Sequence, residues 1–270
     1  MNALSFRHSG KLGDIIYSLP AVRALGGGDF FVDYETEYSE KPALGKAAAL
    51  QMVDLLRTQV YIRLAKLYDG GPVSYNLDAF RKQAMPIHLF NLIKNGWDEL
   101  AGQVLGSGVK GFRQQMLPAL QVDLPQLHWE ALGVPGQIDT STPWITGITK
   151  RSVADVVVCR TARHRGKFNW LRLRDYAAKC VFVGLEEEWH AFSHDYFKID
   201  FYRVEDLVDF ARVVAGARLF VGNQSFGLAL ADAMLMPRAV ELWEPSPNRL
   251  TLTNAHNALT HKVISSYLDR

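Results

Sequence analysis

Two short turns carry the residue types that phosphate chemistry needs. The first is Ser9-Gly10-Lys11-Leu12-Gly13-Asp14; the second, in the other half of the chain, is Gly222-Asn223-Gln224-Ser225-Phe226-Gly227. Each follows an apolar stretch and leads into a run with helical spacing. A turn of that kind offers unpaired backbone N–H groups and the positive end of a helix dipole to an anion. Between the two lies the basic loop Arg160-Thr161-Ala162-Arg163-His164-Arg165-Gly166-Lys167, directly after Val156-Val157-Val158-Cys159. That order puts Arg163, Arg165 and Lys167 at the C-terminal end of a buried strand, where open α/β sheets bind ligands. A cation fixed there stabilises charge that builds on a departing phosphate. Asp14 is the candidate general base, since a carboxylate facing a cleft can take the proton of an attacking hydroxyl. The same residue ahead of an apolar helix also reads as a cap for its N–H groups.

The other candidates carry paired readings of the same sort. His8, Ser9 and Lys11, with Gly13, are placed to meet an acceptor or a phosphate. Ser225 can donate to phosphate oxygens or cap the helix that follows. Gly184 ends an apolar run, and Glu186-Glu187-Glu188 beyond it suits the charged first turn of a helix. His190 and His194 have the i, i+4 spacing of a metal pair, but no third ligand accompanies them, so no metal is expected. Pro245-Ser246-Pro247-Asn248-Arg249 reads as a rigid surface turn, and Asp78 with Arg81 as an i, i+3 pair.

These side chains need a scaffold of alternating strands and helices. Residues 3–7 and Asp29–Tyr34 read as strands flanking a helix that starts near Ile15, with Pro20 an awkward interruption. Gly26-Gly27-Gly28 stops that helix and is not a dinucleotide fingerprint, because it does not join a strand to a following helix. Residues 46–68 read as one long amphipathic helix with Leu50, Val53, Leu56, Val60, Leu64 and Leu67 on a face. The stretch 70–147 is irregular and rich in proline. Beyond 153, strand signals at 156–159, 181–184, 218–221 and 239–242 alternate with helices, which argues for a parallel sheet covered on both faces.

The chain's 270 residues, with 48% hydrophobic and 21% charged, suit a soluble globular protein with an ample core. A net charge of +2 makes no global case for nucleic acid, although local basic patches remain. No apolar run reaches the length of a membrane span and the N-terminus lacks a signal-peptide core, so a cytoplasmic location is expected. Cys159 and Cys180, both in apolar settings, argue against a disulfide framework.

The chain resembles the ADP-heptose:lipopolysaccharide heptosyltransferase-like glycosyltransferases. The likeness rests on Gly13-Asp14 followed by Pro20-Ala21-Val22-Arg23-Ala24-Leu25, and on Lys167 with Trp170, Val183-Gly184 and Gly222-Asn223-Gln224-Ser225. It covers the first thirty or so residues and about 155–245, and it lapses between them. The resemblance implies an α/β, GT-B-like fold with two facing Rossmann-like lobes and parallel sheets: residues 1–150 on the acceptor side and 151–270 on the nucleotide-sugar side. It implies transfer of a sugar from a nucleotide diphosphate to a hydroxyl, with no cofactor beyond that substrate. Asp14 would be the base. Lys167, Arg163, Arg165, Gly184, Glu186, Gly222, Asn223, Gln224, Ser225 and Gly227 would hold the donor. Two departures stand out: Gln224 replaces the family's Asp, and Ala229 its later His. The resemblance implies a saccharide acceptor such as a lipopolysaccharide core, while the basic loop leaves a hydroxymethylated DNA base open as a second; the alternative is a non-catalytic nucleotide- or nucleotide-sugar-binding protein. Monomer and dimer are both open.

Overall fold

The computed structural model describes residues 3–38, 41–42, 44–80, 123–243, 250, 255–256 and 259–269. Arg81 and the 245–249 turn lie outside them.

The N-terminal part builds a four-stranded parallel sheet from β1 (Ser5–His8), β2 (Gly28–Val32), β5 (Ile62–Leu67) and β6 (Tyr75–Asn76), in the order β5-β2-β1-β6. A small antiparallel pair, β3 (Glu37–Tyr38) and β4 (Lys41–Pro42), lies outside it. Helices α1 (Leu12–Ala24) and α2 (Lys46–Arg57) alternate with the strands, and α3 (Leu124–Ala131) packs on α1. The C-terminal part builds a six-stranded parallel sheet from β7 (Val156–Cys159), β8 (Cys180–Phe182), β9 (Asp200–Phe201), β10 (Leu219–Asn223), β11 (Arg238–Glu241) and β12 (Ala255–His256). Its order is β12-β11-β10-β7-β8-β9. Its helices are α4 (Glu186–Asp195), α5 (Leu207–Gly216), α6 (Phe226–Ala233) and α7 (His261–Leu268). In both sheets the strand order reverses beside the first strand, at β1/β6 and at β7/β10, which sets a ligand-binding crevice at each reversal.

The period-2 pattern of a two-sided sheet is visible in β7. Val157 and Cys159 join one apolar cluster and Val156 and Val158 another, on opposite faces. The first cluster does not stop at the second sheet. It continues through Leu228–Ala231 of α6 into Ile15, Ile16 and Leu19 of α1 and on to Phe6 and Phe30, so one core underlies both sheets.

The expectation of one helix over 46–68 is overturned. The helix ends at Arg57, and the chain returns as β5 beside β2. The helix's buried residues are Ala49, Met52, Val53, Leu55 and Leu56, whereas Leu50, Val60 and Leu64 are exposed. Thr58 Oγ1 donates to Leu55 O at 2.7 Å and Gln59 binds across to Thr146, so local side-chain bonds stop the helix. Pro20 sits inside α1 without ending it. The Gly26-Gly27-Gly28 stop is confirmed with a steric reason. All three have positive φ, and a Cβ at Gly27 would fall 2.0 Å from Tyr61 O.

Candidate active site between the two sheets

The turns that follow the C-terminal ends of β1 and β10 meet. A Cβ added at Gly13 would lie 3.8 Å from Ala229 Cβ and 3.9 Å from Ser225 O, so the two turns of the sequence are in van der Waals contact. The side chain of Lys11, at the start of α1, comes close to Arg163 of the basic loop. Partial burial and the Arg163 charge hold the Lys11 ammonium below its usual pKa, with Asp14 opposing them.

Asp14 occupies the third position of α1, and its Oδ2 accepts from Lys11 N–H at 3.1 Å. The capping role is therefore filled by one oxygen of a carboxylate that stays partly exposed. His8 and Ser9 turn inward. Both are fully buried, with Ser9 N and Oγ donating to Asp78 at 2.9 and 2.8 Å. His8 Nδ1 accepts from Gly10 N–H at 2.8 Å and lies 3.2 Å from Asp78 Oδ1. Arg7, forked onto Asp33, also reaches Asp78 at 3.5 Å. Asp78, just past β6, thus seals the crevice between β1 and β6.

At the β7/β10 crevice the turn after β10 organises the basic loop. Asn223 Oδ1 accepts from Thr161 N–H at 3.0 Å, and its amide donates to the carbonyls of Thr161 and Arg163 at 2.9 and 2.5 Å. Gln224 Oε1 accepts from Trp243 N–H at 2.8 Å, tying the same turn to the segment after β11. Ser225 stands at the start of α6 without a side-chain capping bond; its Oγ lies 3.7 Å from Cys159 Sγ. Burial pushes that thiol up to about 12, so Cys159 is inert packing. Gly222 and Gly227 are glycine for packing reasons: added Cβ atoms would fall 2.5 Å from Cys159 O and 3.0 Å from Cys159 Sγ.

Arg163, Arg165 and Lys167 are exposed and form no ion pair among the described residues. The loop's first residue behaves differently. Arg160 is buried in a two-point pair with Glu241 at 2.7 and 3.0 Å, and its guanidinium lies over the Trp170 and Tyr196 rings. This pair anchors the loop and was not legible in the sequence, because Glu241 comes from a strand far along the chain. Glu186, Glu187 and Glu188 form the first turn of α4, as the helix reading expects. Glu186 pairs with Arg203 at the surface, whereas Glu188 faces the basic loop and the Arg163 charge. Burial raises the Glu188 pKa. Gly184, with φ of 158°, lets the chain bend between β8 and that turn. His190 and His194 remain without a metal set: no group of three or more His, Cys, Asp or Glu among the described residues could hold an ion.

Comparison with solved structures settles the architecture. The chain aligns with E. coli heptosyltransferase WaaC with ADP at TM-score 0.50 and 12% identity, covering 98% of each chain. It aligns with the glycosyl transferase family 9 protein from Veillonella parvula DSM 2008 at TM-score 0.50 and 10% identity, covering 99% of this chain and 89% of that one. The fold is GT-B. No family model matches the sequence and no curated protein matches it. Two facing crevices belong to that fold, and in this chain they meet where Gly13 packs on the Ser225 turn and Lys11 comes near Arg163. Among the described residues, no helix is long and apolar enough to cross a membrane.

Proposed function

We propose that this chain is a glycosyltransferase that moves a sugar from a nucleoside diphosphate to a hydroxyl. Residues 1–150 would form the acceptor side and 151–270 the donor side. The observation that carries the reading is the contact of the Gly13-Asp14 turn with the Ser225 turn, which brings a partly exposed carboxylate opposite a crevice rimmed by unpaired cations. Lys11 and Arg163 would hold the diphosphate from opposite sides, with Arg165 and Lys167 adding field, and their charge would stabilise the departing nucleotide. Asp14 would take the acceptor's proton through the oxygen that does not cap α1. Glu188 is better placed than Glu186 to meet the nucleoside, since it faces the loop while Glu186 is held by Arg203. The resemblance and the ADP in the WaaC neighbour make ADP-linked sugars the first donors to test, with UDP-linked sugars next. The acceptor is a saccharide or a modified DNA base; a duplex acceptor would bind with a steep salt dependence and a saccharide would not.

A second reading, donor binding without turnover, is favoured by the Asp14–Lys11 hydrogen bond, which gives Asp14 a structural duty. Donor turnover with Asp14→Asn separates the two. For an enzyme, kcat falls on the order of a hundredfold or more while donor affinity holds. A binding protein shows no turnover to lose.

A further inference from the structure

An aromatic pair flanks the cationic part of the crevice and has no part in the chemistry above. His164 is the residue after Arg163, and its backbone is held in the left-handed region with φ of 54°. That conformation costs a non-glycine residue energy and persists only when neighbours enforce it. Here they do. Asn223 grips the carbonyl on one side, and Gly166 packs so closely on the segment after β11 that a Cβ there would meet Leu242 O at 2.0 Å. The result sets the imidazole against the Trp243 ring, centroids 5.2 Å apart and tilted by 39°. Trp243 is half-buried, and among the described residues its indole N–H has no hydrogen-bond partner. A partly exposed aromatic ring with a spare donor therefore stands against the residue that follows Arg163.

Sheet order gives the crevice a direction. Along β8-β7-β10-β11 come Glu188, then Arg163, then Gln224 and Ser225, then Trp243. Three strand spacings amount to about 14 Å, the scale of an extended nucleoside diphosphate sugar. A carboxylate for hydroxyls, a cation for phosphate and an aromatic face follow one another in that order. A sugar phosphate joins an anion directly to a ring whose C–H-bearing face is apolar and whose rim is polar, and an aromatic side chain with a polar edge suits it. A tilted pair does not form the parallel slot that would clamp a flat base.

We infer that Trp243, positioned by His164, is the subsite for the sugar ring of the donor. This rests on the donor reading proposed above. Gln224, where the resembled family has Asp, accepts the Trp243 backbone N–H, so the two residues adjoin and together select the sugar.

The test compares wild-type chain with Trp243→Ala and Trp243→Phe by calorimetric titration of ADP, UDP and GDP, their glucose or mannose conjugates, and glucose 1-phosphate. The anchoring hydrogen bond uses the Trp243 backbone, so both variants keep it, and thermal melts check that they fold. The expected result is a nucleotide whose sugar conjugate binds wild type more tightly than the bare nucleotide. Trp243→Ala should lose that increment, about tenfold, with bare-nucleotide affinity unchanged, and Trp243→Phe should retain most of it. Equal weakening of nucleotide and conjugate assigns the ring to the base and overturns the subsite, as does no change in either. If no nucleotide binds but glucose 1-phosphate does, and Trp243→Ala loses it, the subsite stands and the donor reading falls. If nothing binds wild type, both fall.

Discussion

The two crevices are built alike and finished differently. Each lies where a parallel strand order reverses, and each has a turn running into a helix that could receive an anion. In the first, the chain supplies the anion itself: Asp78 takes both donors of Ser9 and faces His8 and Arg7. In the second, the turn's side chains are spent on loops, Asn223 on residues 161–163 and Gln224 on Trp243, while Arg163, Arg165 and Lys167 stay exposed. Geometry alone therefore does not decide which crevice takes a phosphate. A carboxylate already seated in one and a surplus of cations around the other are what favour the second as the proposed phosphate site.

Emptying the first crevice should have the largest effect. Asp78→Ala removes the acceptor shared by Ser9 N–H and Ser9 Oγ and the ion-pair partner of Arg7 in a nearly buried setting, and a cost of about 3 kcal/mol in unfolding free energy is expected from denaturant titration. If Asp78 stands in for a ligand anion, inorganic phosphate should raise the melting temperature of Asp78→Ala more than that of wild type. A loss of stability that phosphate does nothing to relieve would make Asp78 an ordinary buried partner and weaken the comparison.

How much of this the sequence disclosed depended on whether a feature was local. The turns at Gly13 and Gly222, the strands at 156–159 and 239–242 and the helical first turn at Glu186 are set by neighbours in the chain, and all were readable. The 46–68 segment misled because Val60, Leu64 and Leu67 happen to continue a helical spacing past the point where Thr58 and Gln59 terminate the helix. Asp78, Glu241 and Trp243 were invisible as partners, since each meets its contact from a distant strand. Gly222 and Gly227 were legible as a motif but not for their reason, which is the close approach of Cys159.

The second crevice is sharpened by separating its cations. Arg163, which lies near both Lys11 and Glu188, should matter more for donor affinity than Lys167, the position the resemblance favours. Arg163→Ala is expected to weaken nucleotide binding about tenfold with the melting temperature unchanged, since an exposed cation without an ion pair contributes little to folding. Lys167→Ala should cost less. The reverse order, read by the same titrations, would move the diphosphate toward the far end of the loop.

The smallest effect concerns what lies behind the first crevice. His128 of α3 is fully buried, its ring 5.2 Å from that of His8 and 4.1 Å from that of Phe80. Burial is the main reason its pKa falls well below 6.5; the neighbouring His8 adds to the shift, while Asp78 and the carbonyls of Leu77 and Asp14 oppose it. A histidine kept neutral by folding binds its proton more readily in the unfolded chain. Stability is therefore complete above the unfolded value of about 6.5 and declines as pH falls below it, by at most about 1.4 kcal/mol per pH unit for one proton. Melting curves between neutral pH and mildly acidic pH should show that decline in wild type and a flatter one in His128→Phe, which keeps the ring and removes the proton. Because Asp78 is the carboxylate opposing the shift, Asp78→Ala should carry the decline to lower pH. If the acid slope survives in His128→Phe unchanged, the titrating group lies elsewhere, and the two crevices differ only in their charges and not in how pH acts on them.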